Sequence, residues 1–327
     1  MTSEKFLITG GQGFVGAWLA RVLLEEGTPV VVLDRTPDNH ILSQILEPDS
    51  LPEIDRVFCD VTDTEKLRRT LEEEEITHIV HLADTQIPGC RQHPVDGATT
   101  NVVGTLSVFE AAHSLLDQIQ MIVYASSAAV AGGSDDYDGA VQDSDHHRPA
   151  THYGVFKLAN EGNARVYWND HGVASVGLRP YATYGVGREL GVTSAPTKAI
   201  KAAVLGREYT IPFTGPLSFV FVEDLARLFV AAARSAAEGA PALNIRGSLE
   251  TVERFVEILG EVFPELGDRI EVRGDPLPIA ADFDESGLAE LIGAENIHCT
   301  PLRRGVERVR EHFERLGRAG RLLDRDL

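Results

Sequence analysis

Lys5-Phe6-Leu7-Ile8-Thr9-Gly10-Gly11-Gln12-Gly13-Phe14-Val15-Gly16-Ala17-Trp18-Leu19-Ala20 is the stretch whose reading decides the fold. Lys5–Thr9 is a short apolar run of strand length, and Phe14–Glu26 carries the spacing of an amphipathic helix. Between them Gly10, Gly13 and Gly16 stand in the pattern G-x-x-G-x-x-G. A tight turn, close approach of backbone to a ligand, and close helix–strand packing each require a residue without Cβ. The helix that follows offers free N–H groups and a partial positive charge to an anion. An ordinary glycine-rich βα turn is the plainer alternative.

Working outward, strand-like runs alternate with helical ones. Strands are expected at Pro29–Asp34, Arg56–Cys59, His78–His81 and Ile119–Ala125, with helices at Thr64–Glu75 and Asp96–Leu116. A long helix over Thr151–His171 and a strand at Ser175–Arg179 follow. Continuously apolar strands in such alternation predict an α/β fold, a Rossmann-type doubly wound parallel sheet covered on both faces. After Pro180 the texture changes: glycine, proline and short segments run through Tyr184–Ser218, and helices return at Val222–Ala237 and Thr251–Phe263. The reading is a sheet domain over residues 1–180 and a smaller substrate lobe over 181–327, with an approximate, interleaved boundary. Gly132–His147, rich in Gly, Asp and Ser, reads as a mobile loop beside the site.

The chain has 327 residues, 43% of them hydrophobic, enough for a large domain and an annex. Acidic residues outnumber basic ones 50 to 30, for a formal charge of −20. That field repels nucleic acid and anionic membrane, so neither is an expected partner. Cys59, Cys90 and Cys299 are widely spaced with no Cys-x-x-Cys pair, which fits a reducing compartment. Met1-Thr2-Ser3-Glu4-Lys5 leaves no room for a leader before the first strand, and no apolar run approaches membrane-spanning length. A cytoplasmic location is expected. Asp143, Asp145, His146 and His147 read as a solvated loop rather than a metal site, and Trp18 and Trp168 as helix-face packing.

Asp34 ends the second strand, where a carboxylate accepts hydrogen bonds from ribose hydroxyls and repels a 2′-phosphate. That favours NAD over NADP, although the neighbouring Arg35 could bind such a phosphate. Asp60 and Val61, at the end of the third strand, fit an adenine edge; Asp60 alternatively caps the next turn. Tyr153 and Lys157 stand four apart on the long helix and so share a face. A free tyrosine, with a pKa near ~10, is a poor base at neutral pH, and a nearby ammonium together with the positive nicotinamide ring is expected to lower it. Ser127, at the end of the Ile119–Ala125 strand, can bond a substrate oxygen passing between alcohol and carbonyl.

Thr9–Gly16, Asp34, Asp60-Val61, His81-Leu82-Ala83, Asn101, Ser126-Ser127, Tyr153/Lys157, Arg179-Pro180 and Phe219–Asp224 together resemble the extended short-chain dehydrogenase/reductase family, also called the NAD-dependent epimerase/dehydratase family. The resemblance covers nearly the whole chain. It implies catalysis by Ser127, Tyr153 and Lys157, and cofactor contacts from Gly10, Gly13, Phe14, Val15, Gly16, Asp34, Arg35, Asp60, Val61, Leu82, Ala83, Asn101, Tyr153, Lys157 and Pro180. Substrate contacts fall to Asp84, Ser127, Ala128, Thr183 and Arg188, and His81 is not expected to catalyse. Three departures narrow the function. Ala128 and Ala129 replace the Asp-Glu of the 4,6-dehydratases; Ala182 and Leu217 stand where nucleotide-sugar epimerases carry diphosphate-binding Asn and Arg, although Arg188, Lys198, Arg207 or Arg246 could bind phosphate differently. Asp84 replaces a small residue, a carboxylate suited to hydroxyls rather than phosphates.

The resulting expectation is NAD-dependent hydride transfer at a secondary alcohol or ketone of a sugar, sugar acid or similar polyhydroxylated small molecule. A (nucleotide-)sugar epimerase is the alternative, and a non-catalytic NAD-binding regulator, which the presence of both Tyr153 and Lys157 argues against, a third. Apolar residues on more than one face of the Asp96–Leu116 and Thr151–His171 helices predict a homodimer through a four-helix interface. Packing of that surface against the chain's own C-terminal lobe is the competing explanation.

Overall fold

The computed structural model describes residues 4–322; residues 1–3, part of the expected leaderless start, and residues 323–327 lie outside the described residues. Twelve strands are found among the described residues: β1 (Phe6–Thr9), β2 (Val30–Asp34), β3 (Asp55–Phe58), β4 (His78–His81), β5 (Met121–Ala125), β6 (Ser175–Arg179), β7 (Ala182–Tyr184), β8 (Tyr209–Ile211), β9 (Pro216–Phe221), β10 (Ala242–Asn244), β11 (Ser248–Thr251) and β12 (Ile270–Val272). The helices used below are α1 (Phe14–Glu25), α2 (Gly104–His113), α3 (His152–His171), α4 (Val222–Ala233) and α5 (Val252–Val262).

Seven strands form one sheet in the order β10-β6-β5-β4-β1-β2-β3. Every pairing in it is parallel. β1 pairs with both β2 and β4, bringing Thr9 level with Leu33 on one side and His81 on the other. The chain winds outward in both directions from there, and ligands of such sheets bind at the carboxyl ends of the strands where the order reverses. β1 and β4 are buried along their whole length, which is why their sequences are continuously apolar or carry internally bonded polar groups.

Local signals set the helix ends that matter. Thr151 caps α3 by accepting the Gly154 N–H at 3.0 Å, and Gly172, left-handed at φ 71°, ends it. Thr251 caps α5 through the Arg254 N–H in the same way. The helix expected over Asp96–Leu116 is instead three pieces: Pro94–Ala98, one π-helical turn over Thr99–Val103, and α2. The reason is side-chain competition. The Asn101 carbonyl accepts from Asn160 Nδ2 at 2.8 Å and from the Thr105 hydroxyl at 2.7 Å, which stabilises the widened turn.

The second lobe contains the three-stranded sheet β11-β9-β7 and the β12-β8 pair. It is not separable at residue 180. α4 packs along α1, with Leu225 and Phe229 buried in the cluster that holds Leu19 and Leu23. Each such large apolar side chain contributes about 1.5–3 kcal/mol by its burial. β10 returns to the main sheet and pairs with β6, Ala242 opposite Gly177.

Residues 132–147 are an irregular segment with Ser134, Asp135, Asp138, Gln142, Ser144 and His146 exposed, anchored around Val141 and Asp143. Val141 is fully buried and bridged to Phe283, and its carbonyl accepts Asn244 Nδ2 at 2.9 Å; Asp143 Oδ1 accepts the Asn244 N–H at 2.6 Å. Asp136 and Asp145 likewise accept backbone N–H groups, from Gly133 and Gln142. Trp18 is buried and donates to the Val186 carbonyl, whereas Trp168, 36% exposed, lies at the surface of α3 rather than packing inward.

Candidate active site

The glycine turn is shaped by contacts that no side chain could share. A Cβ on Gly10, whose φ is +66°, would stand 2.8 Å from the Ala83 nitrogen; one on Gly16 would stand 2.6 Å from the Gly11 Cα. Gly13 caps α1, and the first turn, opened by Phe14 and Val15, holds no acidic residue. The helix N-terminus therefore faces the crevice with its positive end uncompensated. Asp34 is tied to this turn: its carboxylate accepts the Gln12 N–H at 3.3 Å and the Arg35 N–H at 2.8 Å. Asp60 binds the Thr62 N–H at 2.9 Å and hydroxyl at 2.7 Å, bonds that hold its carboxyl below the usual range, so it does cap the next turn. Val61 is buried against Gly104. Leu82 and Ala83 extend from β4 past Thr9, whose hydroxyl accepts both N–H groups. These features fit a dinucleotide: a clash-limited glycine turn, a bare helix N-terminus and a carboxylate at the end of β2.

The reactive residues converge beside the cradle. Tyr153 and Lys157 project from α3, Ser127 follows β5, and Asp84 follows β4. The half-buried Tyr153 hydroxyl donates to Asp84 Oδ2 at 3.2 Å, and Lys157 Nζ reaches the same oxygen at 3.0 Å. Lys157 also donates to the Ala125 carbonyl at 2.8 Å and sits 5.3 Å from the centre of the Tyr153 ring. The Ser127 hydroxyl accepts the Ala129 N–H at 3.1 Å and faces the Tyr153 phenol, favouring its ionised form.

Around the phenol itself, this arrangement opposes the lowering expected from the ammonium. Burial pushes the Tyr153 phenol well above its ordinary value, and the Asp84 carboxylate pushes it further. The ammonium that was to favour the phenolate is paired with that same carboxylate, which offsets its pull. Asp84, expected as a substrate contact, thus touches both candidate catalytic residues of α3. Asn101 fixes the segment that carries it: Oδ1 accepts the Thr85 N–H at 2.6 Å and Nδ2 donates to the Thr85 carbonyl at 2.9 Å. His81 is buried between the hydroxyls of Thr9 and Thr105, at 2.7 and 2.9 Å, and burial pushes its pKa down to about 3. It is a structural imidazole.

Other expected contacts divide. The Pro180 carbonyl accepts the Ala128 N–H at 3.0 Å, tying the end of β6 to the Ser127 turn. Ala128 itself is fully buried with Val141 and Phe283, and Thr183 is buried on β7; neither side chain faces open space. Arg188 lies 5.6 Å above the Phe14 ring and bonds the Thr193 hydroxyl at 3.2 Å, while its buried Nε has no hydrogen-bond partner among the described residues. Burial lowers its pKa, opposed by Tyr153 and Asp84 nearby. It stays within electrostatic reach of the centre. Sequence reasoning missed Gln12 and the ion pair below the site, in which Arg179 grips Glu161; the Arg179-Pro180 pair was the only signal for the latter.

Comparison with known proteins agrees with this geometry. The model of the NAD-dependent epimerase/dehydratase family matches residues 6–245. A UDP-glucose 4-epimerase of Azospirillum brasilense is 27% identical over 307 residues, 86% of this chain and 85% of that protein. UDP-glucuronate 4-epimerase 4 of Arabidopsis thaliana is 30% identical over 183 residues, 55% of this chain but only 41% of the relative. Among solved structures, the L-threonine dehydrogenase of Clostridium difficile superposes with a TM-score of 0.83 at 20% identity, covering 97% of this chain and 99% of that one. The Thermus thermophilus UDP-glucose 4-epimerase, in complex with NAD, gives 0.79 at 22%, covering 95% and 99%. These last two likenesses concern the fold. From the matched model, the glycine turn and the Ser127/Tyr153/Lys157 set, the chain belongs to the NAD-dependent epimerase/dehydratase family of extended short-chain dehydrogenase/reductases, an enzyme family whose cofactor is NAD.

Proposed function

We propose that this chain catalyses reversible hydride transfer at a secondary alcohol or ketone of a sugar, sugar acid or similar polyhydroxylated small molecule. The observation that carries the reading is the meeting of Ser127, Tyr153 and Lys157 with Asp84 beside the glycine turn. NAD, when bound, takes or gives the hydride. Ser127 bonds the substrate oxygen and Tyr153 moves its proton, while Lys157, anchored on the Ala125 carbonyl, keeps positive charge beneath the phenol. The cradle residues Gly10, Gly13 and Gly16 hold the pyrophosphate, and Asp34 the adenosine ribose. Asp84 favours hydroxyl-bearing over phosphate-bearing ligands next to the reacting carbon. Ala182 and Leu217 are core residues, 1% and 0% exposed, so neither contributes a polar contact to a nucleotide diphosphate.

The second reading is a sugar-nucleotide epimerase, favoured by the alignment with the Azospirillum enzyme over most of both chains. The same centre would oxidise a carbinol and reduce the ketone from its other face. Incubation with NAD and a panel of polyols, sugar acids and UDP-sugars separates the two: net NADH formation supports the first, isomerisation without accumulated NADH the second. No turnover in the panel counts against both.

The assembly reading is a homodimer. Val155 and Val166, eleven residues apart on one side of α3, are exposed by 48 and 54%, and Val103 on the turn before α2 by 48%, apolar surface that the C-terminal lobe leaves open. Light scattering showing a fully active monomer would remove this reading. No described helix is long and apolar enough to cross a membrane, and the three cysteines are free.

A further inference from the structure

Asp84 is separated by 69 residues from Tyr153, yet one of its oxygens serves both members of the acid/base pair. Its placement is enforced rather than incidental. The neighbouring Thr85 backbone is clamped on both its N–H and its carbonyl by Asn101, which itself sits in the π-turn at 1% exposure. The Lys157 ammonium, fixed from below by the Ala125 carbonyl, cannot leave Asp84 without uncovering a buried cation.

We propose that Asp84 is a positioning residue of the reactive centre: its carboxylate, shared between the Tyr153 hydroxyl and the Lys157 ammonium, keeps the phenol protonated and so sets the centre to give a proton to a carbonyl rather than take one from an alcohol at neutral pH. The proposal rests on the reading of Tyr153 as the proton-moving group. The other charged and titratable groups around the phenol do not supply the same effect. Arg188 from the segment after β7 favours ionisation, Ser127 bonds the ionised form, Lys157 on the same helix is paired with Asp84, and buried His81 stays neutral. Cys90, bonded to the Thr85 carbonyl, has its thiol pushed up by burial and by Asp84. Asp84 is the one anion in contact with the phenol among the described residues. Within the proton step, the phenol O–H bond breaks as the proton passes to the substrate oxygen, and solvent returns the proton between turnovers. Asp84 gives up no atom and changes no bond; it biases the phenol.

The direct test needs no substrate. The tyrosinate absorbance of the NAD-loaded protein is titrated with base in wild type, Asp84→Asn and Asp84→Ala, with Tyr153→Phe subtracted to isolate the one phenol. Asn keeps an acceptor at the same reach without the charge; Ala removes both. Either folded variant should ionise Tyr153 at a pH lower by about one unit or more. Where a panel substrate turns over, the rising limb of kcat/KM for alcohol oxidation should move down by the same amount, whereas a purely structural defect lowers kcat at every pH without moving the limb. A Tyr153 transition coincident with wild type overturns the proposal even if turnover is found. A shifted transition with no turnover in the panel upholds it while refuting the proposed function.

Discussion

Two buried charge clusters sit one helical turn apart on α3, and they are built differently. At Glu161 the acceptors are saturated: Arg179 donates through Nε and Nη2 to both carboxylate oxygens at 2.8 Å, and the Ser126 hydroxyl adds a third bond at 2.5 Å. Arg179 Nη1 then reaches Asn244 Oδ1 at 3.2 Å and the Asp143 carbonyl at 3.1 Å. Glu161, Ser126 and Arg179 are 1, 1 and 3% exposed. At Lys157, by contrast, a single Asp84 oxygen serves two donors, and the Asp84 side chain is 17% exposed. The lower cluster welds β5, β6 and β10 to the loop that carries Asp143. The upper one leaves a proton unevenly shared at the mouth of the crevice. Saturation of the acceptors, rather than burial alone, separates scaffold from chemistry on this helix face.

Tyr153→Phe should break the comparison most cleanly. Turnover is expected to fall by about 10²–10⁴-fold, with NAD affinity and unfolding free energy close to wild type. Steady-state rates, nucleotide fluorescence and urea unfolding read the three quantities; a large loss of stability would make the upper cluster a scaffold like the lower. Glu161→Ala tests the opposite side. It leaves Arg179 as an uncompensated buried cation and should lower stability by about 3–5 kcal/mol, with Asp84→Asn costing less than half as much. Equal shifts in urea midpoint for the two variants would contradict the distinction.

Acid probes the surroundings of both clusters. His81, beside the upper one, and His312, which bonds the Gln44 carbonyl at 2.9 Å, have folded pKa values pushed by burial from 6.5 to about 3 and about 4. Both values are depressed, so the stability they contribute is full above the unfolded value and drains as pH falls toward the folded ones. Each should cost about 1.4 kcal/mol per pH unit below 6.5 within that window. His312→Gln should remove its share of the slope in urea midpoints taken from pH 7 down to about 5; a slope equal to wild type would show that His312 charges without cost. The smallest effect is expected at the cradle. Asp34→Ala should weaken NAD about tenfold, the worth of a charge-assisted hydrogen bond, and narrow the gap to NADP. A wild type that already prefers NADP in direct competition would show that Arg35 outweighs Asp34.

The contrast between the clusters also marks how far the sequence could be read. The parallel strands, the glycine turn and the Tyr153–Lys157 spacing are local patterns, each fixed by steric or periodic rules acting within a few residues. Ser127 was legible because it ends a strand. Asp84 drew notice as a misfit residue, but its partners lie on α3, and no periodicity connects β4 to that helix. The same holds for Arg179, Glu161 and Asn244, which the topology gathers from three distant segments. The π-turn at Asn101 escaped because its cause, the side chain of Asn160, is 59 residues away. Over 132–147 composition recorded the polarity but not that Asp143 would bind the Asn244 N–H 101 residues away.

Pairing of β10 with β6 has a consequence for biosynthesis. Chain order delivers β6 with its outer edge open, and the strand that closes it emerges only after the residues of β7, β8, β9 and α4. α1 likewise waits for α4 to cover its apolar side. A nascent chain halted just past Pro180 therefore exposes a bare strand edge and an uncovered helix face, the two features that most invite association with other chains. The second lobe completes the first, and the ribosome must release most of the polypeptide before either can stand.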